Sequence, residues 1–253
     1  MGKIIIYDSN NWVRMTVEKD FTGLGIRMCW SEAIKDDGNT RIFVFDGRGG
    51  NQLRRSIYPE YKVKRKLPTD NFFENLSFFK ELLRYAPKNV GVVEREGFEG
   101  DDVIYTIAKG MYPAEVTIIS TDKDLTAIKN AVNPLVSNAL CDKKYVHLYK
   151  TLVGDPSDNI KGVIGFGKKT FELLSEEEKN VLNRYFESDL SESEAINCSI
   201  INPKVWNLIQ KTDDQTLRNN WAITSFFEVP NLEISWGENK IELSEQMLKE
   251  VML

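Results

Sequence analysis

Carboxylates follow apolar, β-branched runs at four places in the first half of the 253-residue chain. These acids are Asp8, Asp46, Glu99, Asp101, Asp102, Asp122 and Asp124. Two further aspartates, Asp155 and Asp158, would share one face if a helical turn formed. One acid after one strand is often an ordinary turn former or helix cap. Nine acids in one crevice would repel one another unless cations neutralised them, so the joint pattern favours a divalent-metal site.

The apolar runs predict a largely parallel β-sheet that is covered on both faces. They span residues 4–7, 42–45, 90–93 and 116–119, and they are continuously hydrophobic. Residues 71–85 and 102–111 have apolar side chains at helical spacing, so strands alternate with helices in an α/β fold. Because sites in open α/β sheets form at the carboxyl ends of the strands, the acids are expected at one edge.

The chain changes character after about residue 150. Glycines and lysines cluster over residues 162–169, Glu-rich helical stretches follow over 171–188, and strand signals are rare until the short run 232–235. We therefore predict an α/β core over residues 1–150 and a mainly helical region over residues 151–253. From about Ser191 onward, the sequence carries no motif that indicates a function.

A basic strip stands out against the net charge of −5. Residues 48–66 contain one acid, Glu60, and seven cations: Arg48, Arg54, Arg55, Lys62, Lys64, Arg65 and Lys66. A basic strip can hold phosphates while nearby acids hold cations, and a metal-dependent nuclease needs both. The alternative is a solvated cationic face without a ligand.

The histidine and cysteine content excludes several kinds of site. His147 is the single histidine, which argues against Ser-His-Asp and Cys-His mechanisms and excludes a multi-histidine zinc site. A metal would be held mainly by oxygen ligands, which points to Mg²⁺ or Mn²⁺. Because Cys29, Cys141 and Cys198 are scattered and no transmembrane run occurs, we expect a cytoplasmic protein.

The glycine-rich segment contains a Gly-x4-Gly-Lys string that is similar to a nucleotide-binding P-loop. Lys169 follows the string where a P-loop has Ser or Thr, and no strand leads into it. Nucleotide binding at this segment is therefore rejected.

Six motifs occur in order over roughly residues 4–171. They are Asp8; Phe45-Asp46-Gly47; Arg54 with residues 58–65; Glu99-Gly100-Asp101-Asp102; residues 120–124; and residues 154–159 continuing into 162–170. Together they resemble the 5′→3′ exonuclease and flap endonuclease family, which includes the 5′-nuclease domain of bacterial DNA polymerase I and phage-type 5′ nucleases and ribonucleases H. The resemblance implies a PIN-like 5′-nuclease core with a basic arch at about residues 48–86, followed by a helix-three-turn-helix.

The resemblance also implies a role for each matching side chain. A first metal ion would be bound by Asp8, Asp46, Glu99 and Asp101, and a second by Asp122, Asp124 and Asp155, with Asp102 and Asp158 acting through outer-shell waters. Lys62 and Arg65 would steady the scissile phosphate, and Arg54 would hold a phosphate nearby. Tyr61 would stack a base or, as an equally good alternative, pack as an ordinary tyrosine.

The implied helix-three-turn-helix would grip duplex DNA through its backbone. Gly162, Gly165 and Gly167 would let the chain approach phosphates, and Lys168 and Lys169 would add positive charge. By the same resemblance, a K⁺ ion that bridges to DNA would be held by the carbonyls of Leu152, Val153, Lys161, Val163 and Phe166.

These observations favour a 5′ nuclease that acts on duplex, flap or RNA–DNA hybrid substrates with two Mg²⁺ or Mn²⁺ ions, in primer removal or repair. Two alternatives stay open: a PIN-type ribonuclease, which leaves residues 154–159 and 162–170 unexplained, and a structure-specific DNA-binding protein without catalysis. We expect a monomer in the cytoplasm of a bacterium or phage-infected cell, without membrane association. Its C-terminal region is expected to contact a single-strand-binding or other replication protein.

Overall fold

The structure is a computed structural model that describes residues 2–18, 24–187 and 200–251. Its strands are β1 (Ile4–Asp8), β2 (Thr40–Val44), β3 (Val90–Val93), β4 (Val116–Ile119), β5 (Ala131–Val132), β6 (Gly154–Asp155), β7 (Ile160–Lys161) and β8 (Ser235–Trp236). Its helices are α1 (Ser9–Val17), α2 (Gly25–Ala33), α3 (Gln52–Ile57), α4 (Asp70–Leu83), α5 (Gly100–Gly110), α6 (Val146–Val153), α7 (Lys168–Glu172), α8 (Glu176–Phe186), α9 (Pro203–Ile209), α10 (Asp214–Thr224) and α11 (Ile241–Val251).

The chain forms two compact units, and each is discontinuous in sequence. The first unit comprises Met1–Gly50, Leu67–Asn138 and Phe227–Leu253, and the second comprises Asn51–Lys66 and Ala139–Phe226. The sequence predicts a single boundary near residue 150. A sequence pattern shows where the composition changes, but it does not show which distant segments pack together. The predicted basic arch is divided as well, since residues 51–66 belong to the second unit and α4 belongs to the first.

The first unit contains a six-stranded sheet in the order β5-β4-β1-β2-β3-β8. Strands β1 to β5 pair in parallel, and β8 runs antiparallel to β3. All four predicted strands are present, and β2 begins two residues earlier than predicted. The predicted run 232–235 is wrong at residues 232–234. Ile234 instead crosses over Gly91, where a Cβ would come within 2.5 Å of its Cγ2.

Helices and aromatic side chains cover this sheet. Both predicted helices, 71–85 and 102–111, are present as α4 and α5, each beginning one or two residues earlier than predicted. Tyr7 of β1 stacks on Phe43 of β2 with ring centroids 4.5 Å apart, and Phe79 of α4 meets Phe43 edge-on at 5.4 Å. These buried contacts fix the register of β1 and β2, and therefore the positions of the residues that follow them.

The second unit is mainly helical. Leu148 and Leu152 of α6, Leu182 of α8 and Trp206 of α9 share one buried cluster. The Glu-rich stretch predicted over 171–188, whose last residue lies outside the described residues, divides into α7 and α8, because Ser175 starts a new helix through a capping box with Glu178. A short antiparallel pair, β6 and β7, follows α6. Within the described residues, no helix is long and apolar enough to span a membrane.

Candidate active site

Asp8 stands at the carboxyl end of the central strand of the first unit. It is the last residue of β1 and also the N-cap of α1, where its side chain accepts a hydrogen bond from the N–H of Asn11 at 3.2 Å. The hydroxyl of Ser120 donates to its other oxygen at 2.8 Å. Because β1 pairs in parallel with β2 and β4, the residues after all three strands emerge at the same edge of the sheet.

The pKa of Asp8 shows that other carboxylates are close. Burial and the negative charges of Asp46 and Asp122 together raise this pKa to about 7, against the lowering effect of the hydrogen bonds from Ser120 and Asn11. The three predicted acids that follow β1, β2 and β4 are therefore electrostatically coupled in the first unit. An anionic oxygen cluster of this kind fits a divalent cation, whose charge would remove the repulsion.

The loop after β2 brings Asp46 to the start of α5. Gly47 donates its N–H to the carbonyl of Phe98 at 3.0 Å, and a Cβ on Gly47 would lie 1.7 Å from the carbonyl oxygen of Arg95, so only glycine allows this approach. One carboxylate oxygen of Asp46 then accepts the N–H of Gly100 at 2.7 Å. The Phe-Asp-Gly sequence thus joins an acid to the helix that begins beside Glu99.

The acids of α5 have different surroundings. Glu99 is the N-cap residue and is 9% exposed, and Asp101 is half-buried in the first turn. Asp102 is 1% exposed, and its Oδ1 accepts the N–H of Phe227 at 2.9 Å. One oxygen of Asp102 therefore anchors the returning C-terminal segment, a structural use that the sequence did not indicate.

In the loop after β4, side chains accept hydrogen bonds from the backbone N–H groups of the aspartates. The N–H of Asp124 donates to Oδ1 of Asp122 at 2.8 Å, and the N–H of Asp122 donates to the hydroxyl of Ser120 at 3.0 Å. Both aspartates are half-buried. The Ser-Thr-Asp-Lys-Asp sequence therefore forms a compact turn that presents two carboxylates.

In the second unit, Asp155 ends β6 and Asp158 lies in the tight turn between β6 and β7. The helical turn that their spacing suggests does not form, because residues 156–159 close a β-hairpin in which Asn159 adopts a positive φ of 62°. Asp155 accepts both the N–H (2.8 Å) and the hydroxyl (2.6 Å) of Ser157. The charge of Asp155 nevertheless helps to raise the pKa of Asp158, so the two acids are close.

Lys150 is a partner of Asp155 that no sequence motif indicated. Its Nζ lies 2.7 Å from Oδ2 of Asp155, and the two side chains are only 8% and 14% exposed. Burial by itself would raise the pKa of Asp155, but the Lys150 charge and the Ser157 hydrogen bonds outweigh it and lower the pKa. A lysine inside an apolar helix is recognisable as a partner only once the fold places it beside an acid.

Lys62 and Arg65 lie close enough to Asp158 for their charges to act on it, and their phosphate role stays a prediction. The N–H of Lys62 donates to the carbonyl of Asp158 at 3.0 Å, and Lys62 has a positive φ of 55°. Burial raises the pKa of Asp158, with the charges of Lys62, Lys150 and Arg65 opposing the rise. Cations and an acid thus share one part of the second unit.

Arg54 and Tyr61 are placed differently from the prediction. Arg54 is 3% exposed, and its guanidinium donates to the carbonyls of Ile223 (2.9 Å) and Ser225 (3.1 Å) at the end of α10. Tyr61 is also 3% exposed and packs with Ile160 and Ile223. Arg54 therefore has a packing role in this structure, and its phosphate contact stays a prediction. The burial of Tyr61 favours its packed alternative over base stacking.

Replacing Arg54 by alanine is expected to destabilise the protein by about 2 kcal/mol or more, because two buried carbonyls lose a charged donor. Urea unfolding measures this loss. Arg55→Ala is the matched control, since Arg55 is exposed and gives up one carbonyl bond, to Tyr61 at 3.1 Å, so its removal should cost less than that of Arg54. A stable Arg54→Ala variant that loses DNA affinity would instead support the phosphate role.

The glycine-rich segment folds back on α6. A Cβ on Gly162 would lie 2.4 Å from the carbonyl oxygen of Leu152, and Gly165 has a positive φ of 80°. Several carbonyls predicted to bind K⁺ accept hydrogen bonds: Leu152 from the N–H of Val163 (2.8 Å), Val163 from that of Phe166 (3.0 Å), and Lys161 from the amide of Asn220 (2.7 Å). Gly165, Gly167, Lys168 and Lys169 are exposed. The helix-three-turn-helix stays a prediction.

Solved structures share this fold. A mostly parallel sheet flanked by helices is the PIN-like fold of flap nucleases; T5 5′-exonuclease with bound zinc matches with a TM-score of 0.61 and 20% identity over 98% of each chain. A bacteriophage T5 flap endonuclease in complex with DNA and metal ions matches with a TM-score of 0.58 and 22% identity over 88% of this chain and 89% of that one.

Sequence similarity shows the family to which the chain belongs. The family model "5′-3′ exonuclease, N-terminal resolvase-like domain" matches residues 22–151, so the chain belongs to the 5′-3′ exonuclease family. DNA polymerase I of Thermus thermophilus is 36% identical over 163 residues, which cover 58% of this chain and 19% of that protein. A 5′-3′ exonuclease of Mycoplasma pneumoniae is 31% identical over 176 residues, which cover 60% of this chain and 58% of that protein. The chain thus spans about a fifth of the polymerase.

Proposed function

We propose that the chain is a metal-dependent 5′ nuclease that hydrolyses phosphodiesters near the 5′ end of duplex, flap or RNA–DNA hybrid substrates and leaves 5′-phosphate products. The observation that carries this proposal is the electrostatic coupling of Asp8 with Asp46 and Asp122 at the carboxyl edge of the sheet. Family membership supports it, since the relatives include proteins named as 5′-3′ exonucleases.

The acidic residues and the basic residues have different proposed roles. Asp8, Asp46, Glu99, Asp101, Asp122 and Asp124 of the first unit and Asp155 and Asp158 of the second are proposed to hold divalent cations, Mg²⁺ or Mn²⁺. Two such ions, when bound, supply the positive charge that activates water and stabilises the phosphate oxygens. Lys62 and Arg65 hold the phosphate and offset the charge that develops on it.

DNA is the proposed partner. The exposed cations Lys64, Lys66, Lys168 and Lys169 suit a phosphate backbone. A similar fold has been solved in complex with DNA and metal ions, which supports the same ligands here. A K⁺ ion at the glycine-rich segment, action on RNA–DNA hybrids, and a replication protein bound by the C-terminal region remain parts of this proposal that derive from the family resemblance.

A cleavage assay with labelled oligonucleotides tests the proposal. In Mg²⁺, we expect cleavage of a 5′-flap duplex, a blunt duplex and an RNA–DNA hybrid, with loss of all three activities in EDTA and in Asp155→Ala. Cleavage of single-stranded RNA alone would instead establish a PIN-type ribonuclease. Tight binding of the flap duplex without cleavage would establish a DNA-binding protein.

A further inference from the structure

Two asparagines at the start of α1 connect the strand end that carries Asp8 to the ends of two neighbouring strands. The side-chain oxygen of Asn10 accepts the backbone N–H of Asp46 at 3.1 Å. The side-chain oxygen of Asn11 accepts the N–H of Thr121 at 2.9 Å, and its amide donates to the Thr121 hydroxyl at 2.8 Å. One turn of helix therefore reaches the loops after both β2 and β4.

Ser120 makes a third connection of the same kind. Its side chain is fully buried, donates to the carboxylate of Asp8 at 2.8 Å, and accepts the N–H of Asp122 at 3.0 Å. A single hydroxyl thus joins one acid to the backbone of another. We call Asn10, Asn11 and Ser120 the strand-end bracket.

The strand-end bracket contacts residues that lie beyond the hydrogen-bonded strands of the sheet. Asp46 and Asp122 lie beyond the last residues of β2 and β4, so no strand pairing fixes them. As ionised carboxylates, both would repel Asp8, and unrestrained loops would move apart. Side-chain bonds to the backbone of these loops oppose that movement without adding charge.

We propose that the strand-end bracket positions Asp8, Asp46 and Asp122 for a divalent cation and so sets the metal affinity of the first unit. This inference rests on the proposed function in that it takes these acids as metal ligands. Asn10 is the best residue to test, because its side chain bonds to the backbone of Asp46 itself, whereas the Asn11 side chain bonds to Thr121 and Ser120 also donates to Asp8.

The experiment is a Mn²⁺ titration of the full chain without DNA, by calorimetry or electron paramagnetic resonance. Asn10→Ala is expected to weaken Mn²⁺ binding by roughly tenfold, which is typical for loss of a group that orients a metal ligand. Asn10→Asp keeps the accepting oxygen and should bind at least as tightly as the wild type. At saturating Mg²⁺, Asn10→Ala should keep the KM of the wild type for a flap duplex.

Asn89→Ala is the matched control. The amide of Asn89 makes an equivalent bond, 2.7 Å to the carbonyl of Asn39, at the opposite end of the same sheet. Its loss should leave Mn²⁺ affinity unchanged, so an equal loss in both variants would show general loosening and overturn the proposal. Wild-type affinity in Asn10→Ala would overturn it too.

The two proposals fail in different ways. A wild-type chain that binds Mn²⁺ but cleaves no DNA contradicts the proposed nuclease, and the titration of Asn10→Ala still decides whether the bracket positions the ligands. A wild-type chain that binds no Mn²⁺ contradicts the bracket directly, whatever the source of any cleavage. Melting temperatures of all variants show that each is folded.

Discussion

Replacement of Asp8 by asparagine is expected to abolish metal-dependent cleavage and to make the metal-free chain more stable. The loss of cleavage, on the order of 100-fold or more, follows from removing a central anionic ligand while keeping the shape of the side chain. The gain in stability follows from removing a charge that burial and two neighbouring acids already disfavour. A purely structural aspartate would show the opposite effect on stability.

The raised pKa of Asp8 also predicts how the stability gain of Asp8→Asn depends on pH. The folded chain holds a proton on Asp8 up to about pH 7, whereas the unfolded chain releases it near its ordinary pKa of 3.8. Between these values the folded state binds more protons, so the free energy of unfolding contributed by Asp8 falls as pH rises. The stabilisation by Asp8→Asn should therefore be small at pH 4 and largest above pH 7.

Thermal unfolding in EDTA at pH 5 and pH 8 measures the effect. We expect the melting temperature of Asp8→Asn to exceed that of the wild type by about 2–4 °C at pH 8 for each kcal/mol gained. Excess Mg²⁺ should reverse the order, since it stabilises the chain that binds it better. Asp36→Asn, at an exposed acid, is the control. Equal melting temperatures with and without metal would contradict the assignment of Asp8 as a ligand.

Much of the first unit could be predicted because the sequence patterns that define its strands and helices are local. Continuous apolar runs give the strands, and a parallel sheet places the residues that follow them at one edge, so Asp8, Asp46 and Asp122 could be grouped from the sequence alone. The bracket could not be found this way. Asn10, Asn11 and Ser120 are common polar residues, and only the register of three strands shows what their side chains reach.

The second unit shows the limits of local patterns more clearly. Arg54 belongs to a dense basic strip, yet it is buried because Ile223 and Ser225, some 170 residues later, supply its acceptors. The spacing of Asp155 and Asp158 suits a helical turn, but the pairing of β6 with β7 imposes a hairpin. In each case a contact distant in sequence decides the outcome.

Replacing Lys150 by methionine is expected to destabilise the chain by about 3 kcal/mol, because Asp155 would keep its buried position without its counter-charge. The ion pair is 2.7 Å long, and neither side chain is more than 14% exposed. In the wild type the lowered pKa of Asp155 contributes stability above its ordinary value of 3.8, and this stability is lost as pH falls through the folded pKa. The defect of Lys150→Met should therefore grow as pH rises above 4.

Urea unfolding of a double-mutant cycle separates the pair from simple loss of packing. Lys150→Met with Asp155→Asn should recover most of the lost stability, because no buried charge is left unpaired. Lys161→Met is the control: its partner Glu60 lies 3.9 Å away, and both side chains are more than half exposed, so little should change. If Asp155 also binds a divalent cation, Mg²⁺ should restore stability to Lys150→Met but not to the double variant. A double variant as unstable as Lys150→Met would show that packing, and not charge, is what Lys150 provides.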